Sequence, residues 1–397
     1  MASFIKVLKQ LLRLVLVLAT GMLVWNFDRL TTSRKYQHYR KALSWKLTND
    51  TKSNLTDVQY LNIDTGNWEE SKISKTTKFH QLESTFYSTE SMEMKSSNHT
   101  KDPWSAFPYP LNVDMVELVR KLKSNIHVEH KPLFVYQYNF KHYRIDKCVD
   151  GSPFFIFLIK SAVNNVKNRV AIRETWSHLS LMEKYNSVRL FLVGTPDKQM
   201  ELSAVEEENN LHKDIILMSF RDNYYNNTLK TIGAIHWTVQ HCNRSKFVVF
   251  VDDDMLVSTT RLVKFLKSEV TVPTFFGGYI TRHSPYRGKR SKWYVSPQDY
   301  PHDVYPPMPS AGFMIMTMNF VTDLHFASQF TRFFNFDDCY LGILAYKLHV
   351  KPVYIRSVYV VHIATYSRTF NLQLMAAHGY PPSKLKSAWR ALQKISS

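Results

Sequence analysis

Three consecutive aspartates, Asp252, Asp253 and Asp254, close the apolar run KFVVFV. Side chains alternate along an extended chain, so Asp252 and Asp254 face the same side. Two carboxylates at that spacing can share a hard divalent cation such as Mg²⁺ or Mn²⁺, or one can hold the ion while the other takes a sugar hydroxyl. The plainer reading is a polar strand-to-helix turn, with Ser258 capping the next helix. Arg169 and Arg173 are four residues apart, so one helix face presents both. Their planar forks suit phosphate oxygens, and the alternative is a solvated basic face. Asp337 and Asp338 precede CYLGILAYKLH, an amphipathic helix pattern. One of them could serve as a general base, while acids in a first helical turn are also favourable simply because they meet the positive end of the dipole. His362 ends the run KPVYIRSVYVVH and is either a further metal ligand or structural. The segment 291–312 sets Trp293, Tyr294, Tyr300 and Tyr305 among prolines, as rings that stack on sugars or as a loop packed on the core.

These groups need a scaffold, and the hydropathy pattern supplies one. Apolar runs at 153–161, 187–194, 214–220 and 246–254 alternate with helical spacing at 164–176, 197–212 and 228–242. That alternation predicts an α/β domain whose parallel sheet is covered on both faces. Later strands are expected at 274–280, 310–317 and 351–361, and a last helix from near Asp337. In such sheets ligands sit beyond the carboxyl ends of the strands, where the Asp252–Asp254 cluster falls.

Composition removes other classes. The chain has 397 residues, 44% of them hydrophobic and 21% charged, in the range of a globular protein. A mean hydropathy of −0.28 excludes a multi-span membrane protein. Three cysteines cannot build a disulfide scaffold. No G-x-G, Walker A, G-x-S-x-G or H-E-x-x-H signature is present. The formal charge of +18 suits anionic partners in general, but no nucleic-acid-binding signature accompanies it, so no nucleic-acid partner is expected.

The N-terminal region reads differently. Residues 11–27 (LLRLVLVLATGMLVWNF) are apolar enough to enter a bilayer, as a signal-anchor after a 1–10 cytoplasmic tail, or else as a cleaved signal peptide. Residues 28–104 are rich in Ser, Thr, Asn and Lys and read as a solvated lumenal stem before a domain at 105–397. Sequons at Asn49, Asn54, Asn98, Asn226 and Asn243 all follow the apolar segment and favour a lumenal body.

From Cys148 to beyond His362 the chain resembles the inverting β-1,3-galactosyltransferase/N-acetylglucosaminyltransferase family, which includes the fringe enzymes. The resemblance is carried by PFFIFLIKSAVNNVKNRVAIRETW, RLFLVG, DIILMSFRDNYYNNTLKT, KFVVFVDDDMLV, KWYVSPQDYPHDVYPPMPSAGFMIMT and FDDCYLGILAYKLHV, in that order. It implies a GT-A fold with a Rossmann-like nucleotide-binding half, a UDP-sugar donor, a glycan acceptor on glycoprotein or glycolipid, a divalent metal (Mn²⁺ or Mg²⁺), and a single-pass type II Golgi membrane protein. It also implies site roles. Asp254 would hold the metal, with His362 completing its shell. Asp252, Asp253, Arg169, Arg173, Asp222 and Lys230 would face the donor nucleotide. Asp338 would be the general base. Asp337, Trp293, Tyr300 and Gly312 would contact donor or acceptor sugar, and Cys148 and Cys242 fall where family cysteines fall. Galactose is the first expectation for the sugar, N-acetylglucosamine or N-acetylgalactosamine the alternatives. A non-catalytic lectin and a metal-dependent phosphohydrolase are the readings from other classes. The family's usual Y-C-S-G-G is Met308-Pro309-Ser310-Ala311-Gly312 here, and Cys339 stands where a valine is usual.

Overall fold

The computed structural model describes residues 113–141, 145–149 and 151–396. The anchor and stem expected at 11–27 and 28–104, with Asn49, Asn54 and Asn98, lie outside the described residues. Among the described residues no helix is long and apolar enough to cross a membrane.

Helix α1 (Met115–Lys123), β1 (Phe140–Lys141) and the short α2 (Asp146–Val149) lead into the alternating region. There follow β2 (Phe155–Lys160), α3 (Val166–Arg173), α4 (Leu179–Lys184), β3 (Ser187–Thr195), α5 (Gln199–His212), β4 (Ile215–Arg221), α6 (Asn227–His241) and β5 (Phe247–Asp252). The second half contains β6 (Leu256–Val257), α7 (Thr259–Ser268), β7 (Phe276–Thr281), β8 (Met308–Thr317), α8 (Met318–Gln329) and α9 (Asp337–Lys347). It ends with β9 (Val353–Tyr354), β10 (Val358–Tyr359), α10 (Arg368–Leu372), β11 (Ala376–Ala377) and α11 (Pro382–Ser396).

The main sheet runs β1-β4-β3-β2-β5-β8-β7-β9. Its first half is the parallel β4-β3-β2-β5 block the sequence predicts. The second half departs from that expectation, because β8 is antiparallel to both β5 and β7. The sheet is therefore mixed. Residues 155–159 of β2 have no exposed surface, and their side chains alternate between two cores. Ile156 and Leu158 join the core under α1, α6, α8 and α9, and Phe155, Phe157 and Ile159 join the core on the other face. Helix α9 is not the last, since α11 follows it and packs Leu385, Ala388 and Leu392 into the second core.

The strand expected at 351–361 is broken. Val353–Tyr354 pairs with β7 in the main sheet, whereas Val358–Tyr359 pairs with β11 in a separate three-stranded sheet, β10-β11-β6. That small sheet carries the C-terminal segment back to the turn after β5. A disulfide joins Cys148 to Cys242, at a sequence separation of 94. Closing a loop of that size stabilises a fold by roughly 4.7 kcal/mol in the chain-entropy picture.

Candidate active site

The site is built around the last residue of β2. Lys160 pairs in register with Asp252 of the neighbouring parallel strand, and both lie at the carboxyl ends. The Lys160 ammonium is buried and donates to Asp337 Oδ2 at 2.7 Å and to the Ala311 carbonyl at 3.1 Å. It also lies 3.1 Å from Asp252 Oδ1. Burial works against its charge, but Asp252 and Asp337 more than offset that and hold its pKa above the ordinary lysine value. Burial in turn pushes the Asp252 carboxyl up to about 6, against the opposing pull of Lys160.

Ser161, the next residue, holds the other acidic cluster member. Its hydroxyl donates to Asp253 Oδ2 at 2.6 Å, and Asn165 Nδ2 donates to the same oxygen at 2.9 Å. Asp253 is thus committed to fixing the β2–α3 loop against the end of β5. Asp254 remains at the cleft. Its Oδ2 lies 2.9 Å from His378 Nε2, and its Oδ1 is buried with no hydrogen-bond partner. His378 gets there through the small sheet. Ala377 pairs antiparallel with Leu256, so the next residue falls beside the Asp254–Met255 turn. Gly379 follows at φ +87°, a conformation glycine adopts without strain, and Tyr380 N donates to the Asp254 carbonyl at 2.9 Å.

Asp337 and Asp338 open α9, where the helix dipole favours both carboxylates. Asp337 is buried and accepts from Lys160 and from Thr231 Oγ1 at 2.9 Å. Asp338 accepts from the Cys339 backbone N–H at 2.8 Å. Burial, then the neighbouring Asp337 charge, raises its pKa above the ordinary aspartate range.

Three adjoining hollows share Asp252 and Tyr224, which makes them one cleft. The first, about 540 Å³, is lined by Asp254, Asp222, Lys230 and residues 160–165. The second, about 290 Å³, includes His378, Gly312, Met255 and Trp293. The third, about 360 Å³, includes Asp338, Asp337, His283, Tyr286, Trp293 and Tyr305. Asp254 and Asp338 therefore border the same cleft, with Lys160 and Asp252 between them.

The sequence model of the galactosyltransferase family matches residues 167–356. The mouse β-1,3-galactosyltransferase 5 is 30% identical over 249 residues, 62% of this chain and 81% of that protein. The chain belongs to this galactosyltransferase family. The Drosophila melanogaster β-1,3-galactosyltransferase brn is 41% identical over 202 residues, 50% of this chain and 62% of that protein. The human UDP-GalNAc:β-1,3-N-acetylgalactosaminyltransferase 1 is 29% identical over 292 residues, 71% of this chain and 87% of that protein. Among solved structures, the galactosyltransferase LgtC aligns at 11% identity and a TM-score of 0.33 over 61% of this chain and 95% of that one, a likeness too weak to carry an argument.

Of the other expected site residues, some line the cleft and some do not. Neither arginine of the basic pair reaches the cleft. All five N–H donors of the fully buried Arg169 are used: by Glu208, by Ser161 Oγ, and by the Ala162 and Val163 carbonyls. Arg173 is bidentate to Asp214 (3.0 and 2.7 Å) and also donates to Glu208 at 2.6 Å. The forks that suit phosphate are filled by carboxylates instead. Asp222 and Lys230 do line the first hollow, as a 2.6 Å ion pair. They too brace the β2–α3 loop: Asp222 Oδ2 accepts from Val163 N, and Lys230 donates to the Ser161 carbonyl.

His362 does not join Asp254, because the break between β9 and β10 turns the chain. Its ring packs on Tyr380, centroids 4.6 Å apart, and it lines none of the three hollows. Tyr300 is fully buried, donates to the Val304 carbonyl and packs on Tyr305, so it is core rather than a sugar contact. Trp293 does face the cleft, its indole N–H donating to Tyr224 OH at 2.9 Å. Asn226 follows Tyr224 and Tyr225 in a short 3₁₀ turn, its carboxamide donating to the Arg221 carbonyl. Asn243 is exposed beside the disulfide.

The donor set of the cleft fits a hard divalent cation. Asp254 brings an unpartnered buried oxygen, His378 a ring nitrogen beside it, and diphosphate oxygens would complete the shell. Among the described residues no three His, Cys, Asp or Glu side chains converge for a metal, so the chain contributes two ligands at most from this pair. Lys160 and His378 escape the sequence reading. A single lysine ending an otherwise wholly apolar strand was the available signal for the first, and a histidine directly before a glycine a faint one for the second.

Proposed function

We propose that this chain transfers a hexose, galactose first, from a UDP-sugar to the 3-hydroxyl of an acceptor sugar, with inversion. The observation that carries this reading is the shared cleft with Asp254 and His378 on one side and Asp338 on the other. The acceptor ring lies in the third hollow against Trp293, Tyr286 and Tyr305, rings that suit a sugar face. Asp338 takes the proton of the attacking hydroxyl as the bond to the anomeric carbon forms and the bond to the diphosphate breaks. Its raised pKa makes it a stronger base than an exposed aspartate. One base suffices, since a single in-line displacement forms no covalent sugar–enzyme species. Asp254 and His378 would hold Mn²⁺ or Mg²⁺, which would supply charge neutralisation for the departing diphosphate. Lys160 fixes Asp252 and Asp337 so that the two sides keep their spacing.

N-acetylgalactosamine, supported by the similarity to the human N-acetylgalactosaminyltransferase, or N-acetylglucosamine is the alternative sugar. The acceptor is a glycan on a glycoprotein or glycolipid. The disulfide and the exposed Asn243 sequon support a lumenal, oxidising setting, and residues 11–27 support a type II Golgi anchor. A donor screen tests the proposal. UDP release that requires both a UDP-sugar and an acceptor sugar is expected. Acceptor-independent phosphate release would favour a phosphohydrolase, and sugar binding without UDP release a lectin.

A further inference from the structure

The wall of the third hollow is the start of a loop with an unusual charge. Residues 282–292 (RHSPYRGKRSK) carry Arg282, Arg287, Lys289, Arg290 and Lys292 and no carboxylate. Arg287 is used internally, donating to the Val295, Tyr300 and His302 carbonyls. The loop is further pinned by Val295 N to Tyr286 O and Tyr305 N to His283 O, both within 3.1 Å. It is therefore a braced ledge. Lys292 lies 4.5 Å over the Trp293 ring and 5.2 Å over Tyr224, at the rim of the cleft. Arg282, Lys289 and Arg290 are exposed, and no ion pair joins them to a carboxylate among the described residues. Inside the hollow the sign reverses, because Asp252, Asp337 and Asp338 outnumber Lys160.

We infer that the acceptor is bipolar: a neutral terminal sugar enters the acidic hollow, and a carboxylate, sulfate or phosphate beyond that sugar is held by Arg282, Lys289 and Arg290. This rests on the transferase reading above and adds the substrate class. An anion on the terminal ring itself would be repelled by Asp337 and Asp338. One placed further along the glycan meets cations on a ledge already ordered, so little conformational entropy opposes the contact. Arginine among them suits the planar two-oxygen face of carboxylate or sulfate.

The test uses the full-length chain in non-ionic detergent. Aryl glycosides of galactose, N-acetylglucosamine, N-acetylgalactosamine, glucose and mannose are each prepared with a methyl and with a carboxylate on the aryl group. They are assayed for transfer, and titrated by calorimetry against the chain with UDP and Mn²⁺. The carboxylated member of a pair is expected to show a KM or Kd about fivefold lower at low salt, a preference screened at high salt. The triple variant R282S/K289S/R290S is expected to lose the preference while its KM for the UDP-sugar stays within twofold. Equal values for both members of every pair, or a preference that survives the triple variant, would overturn the inference and leave the transferase reading intact. A rise in the UDP-sugar KM would instead assign the cations to the donor. Loss of binding to phosphatidylserine vesicles with no preference among glycosides would assign them to a membrane surface. Absence of transfer to every glycoside would count against the transferase reading itself, and the calorimetric pairs would still decide the anion preference.

Discussion

The two acidic clusters solve one problem in two settings. Asp252–Asp254 ends a strand, and Asp337–Asp338 begins a helix. In each, a carboxylate is committed to the framework beside one that faces the cleft. Asp253 is held by Ser161 and Asn165, leaving Asp254 at the cleft beside His378. Asp337 is held by Lys160 and Thr231, leaving Asp338 over the third hollow. The groups that tie down both clusters, Lys160 by its charge and Ser161 by its hydroxyl, are consecutive residues. Their loop is in turn locked by Arg169, Asp222 and Lys230. Adjacent carboxylates thus persist because Asp252, Asp253 and Asp337 are tied to a single hub at the end of β2, while Asp254 and Asp338 face the cleft.

Substitutions can break that division of labour. The largest effect is expected at Asp338. Asp338→Asn should lower kcat by roughly 10²–10⁴-fold with its melting temperature preserved, measured by UDP release and calorimetry. In the unmodified protein kcat/KM should rise with pH through the raised Asp338 pKa, because only the deprotonated carboxyl accepts a proton. The acidic limb should therefore lie above the ordinary aspartate range. Next comes Arg173→Ala, which leaves buried Asp214 and Glu208 each short of one partner. It should cost about 3 kcal/mol of stability in denaturant melts, with UDP affinity of the folded fraction retained. Loss of UDP affinity without loss of stability would return this arginine to the nucleotide.

Asp253→Ala sharpens the contrast within one cluster. It strands the Ser161 hydroxyl and the Asn165 carboxamide, at a cost of about 2 kcal/mol, and its effect on transfer should follow the lost stability. The smallest effect is expected for Tyr300→Phe, which removes one buried hydrogen bond to Val304, about 1 kcal/mol, and leaves the acceptor KM unchanged. A raised acceptor KM there would contradict its placement in the core.

The parallel half of the fold is plain in the sequence because strands buried on both faces read as unbroken apolar runs, as in FFIFLI and FVVFV. The antiparallel return of β8 is not, since an apolar run carries no direction. The carboxylate clusters are legible because nothing in a sheet requires them. Their individual fates are not, because the groups that claim Asp253 and Asp337 come from residues 92 and 177 positions away. The arginine pair misleads for the same reason: i, i+4 spacing shows that two forks share a face, but Glu208 and Asp214 arrive from α5 and the start of β4 to fill them. His378, not His362, stands beside Asp254 because β11 pairs with β6 next to the Asp254 turn.

The most direct test compares UDP affinity with and without Mn²⁺ in two variants by titration calorimetry. If the clusters divide the work as described, Asp338→Asn keeps Mn²⁺-dependent UDP binding while transfer is lost. Asp254→Asn loses the Mn²⁺ dependence, with affinity falling to that of the metal-free protein. Near-normal turnover in Asp338→Asn, or unchanged Mn²⁺-dependent affinity in Asp254→Asn, would contradict the account.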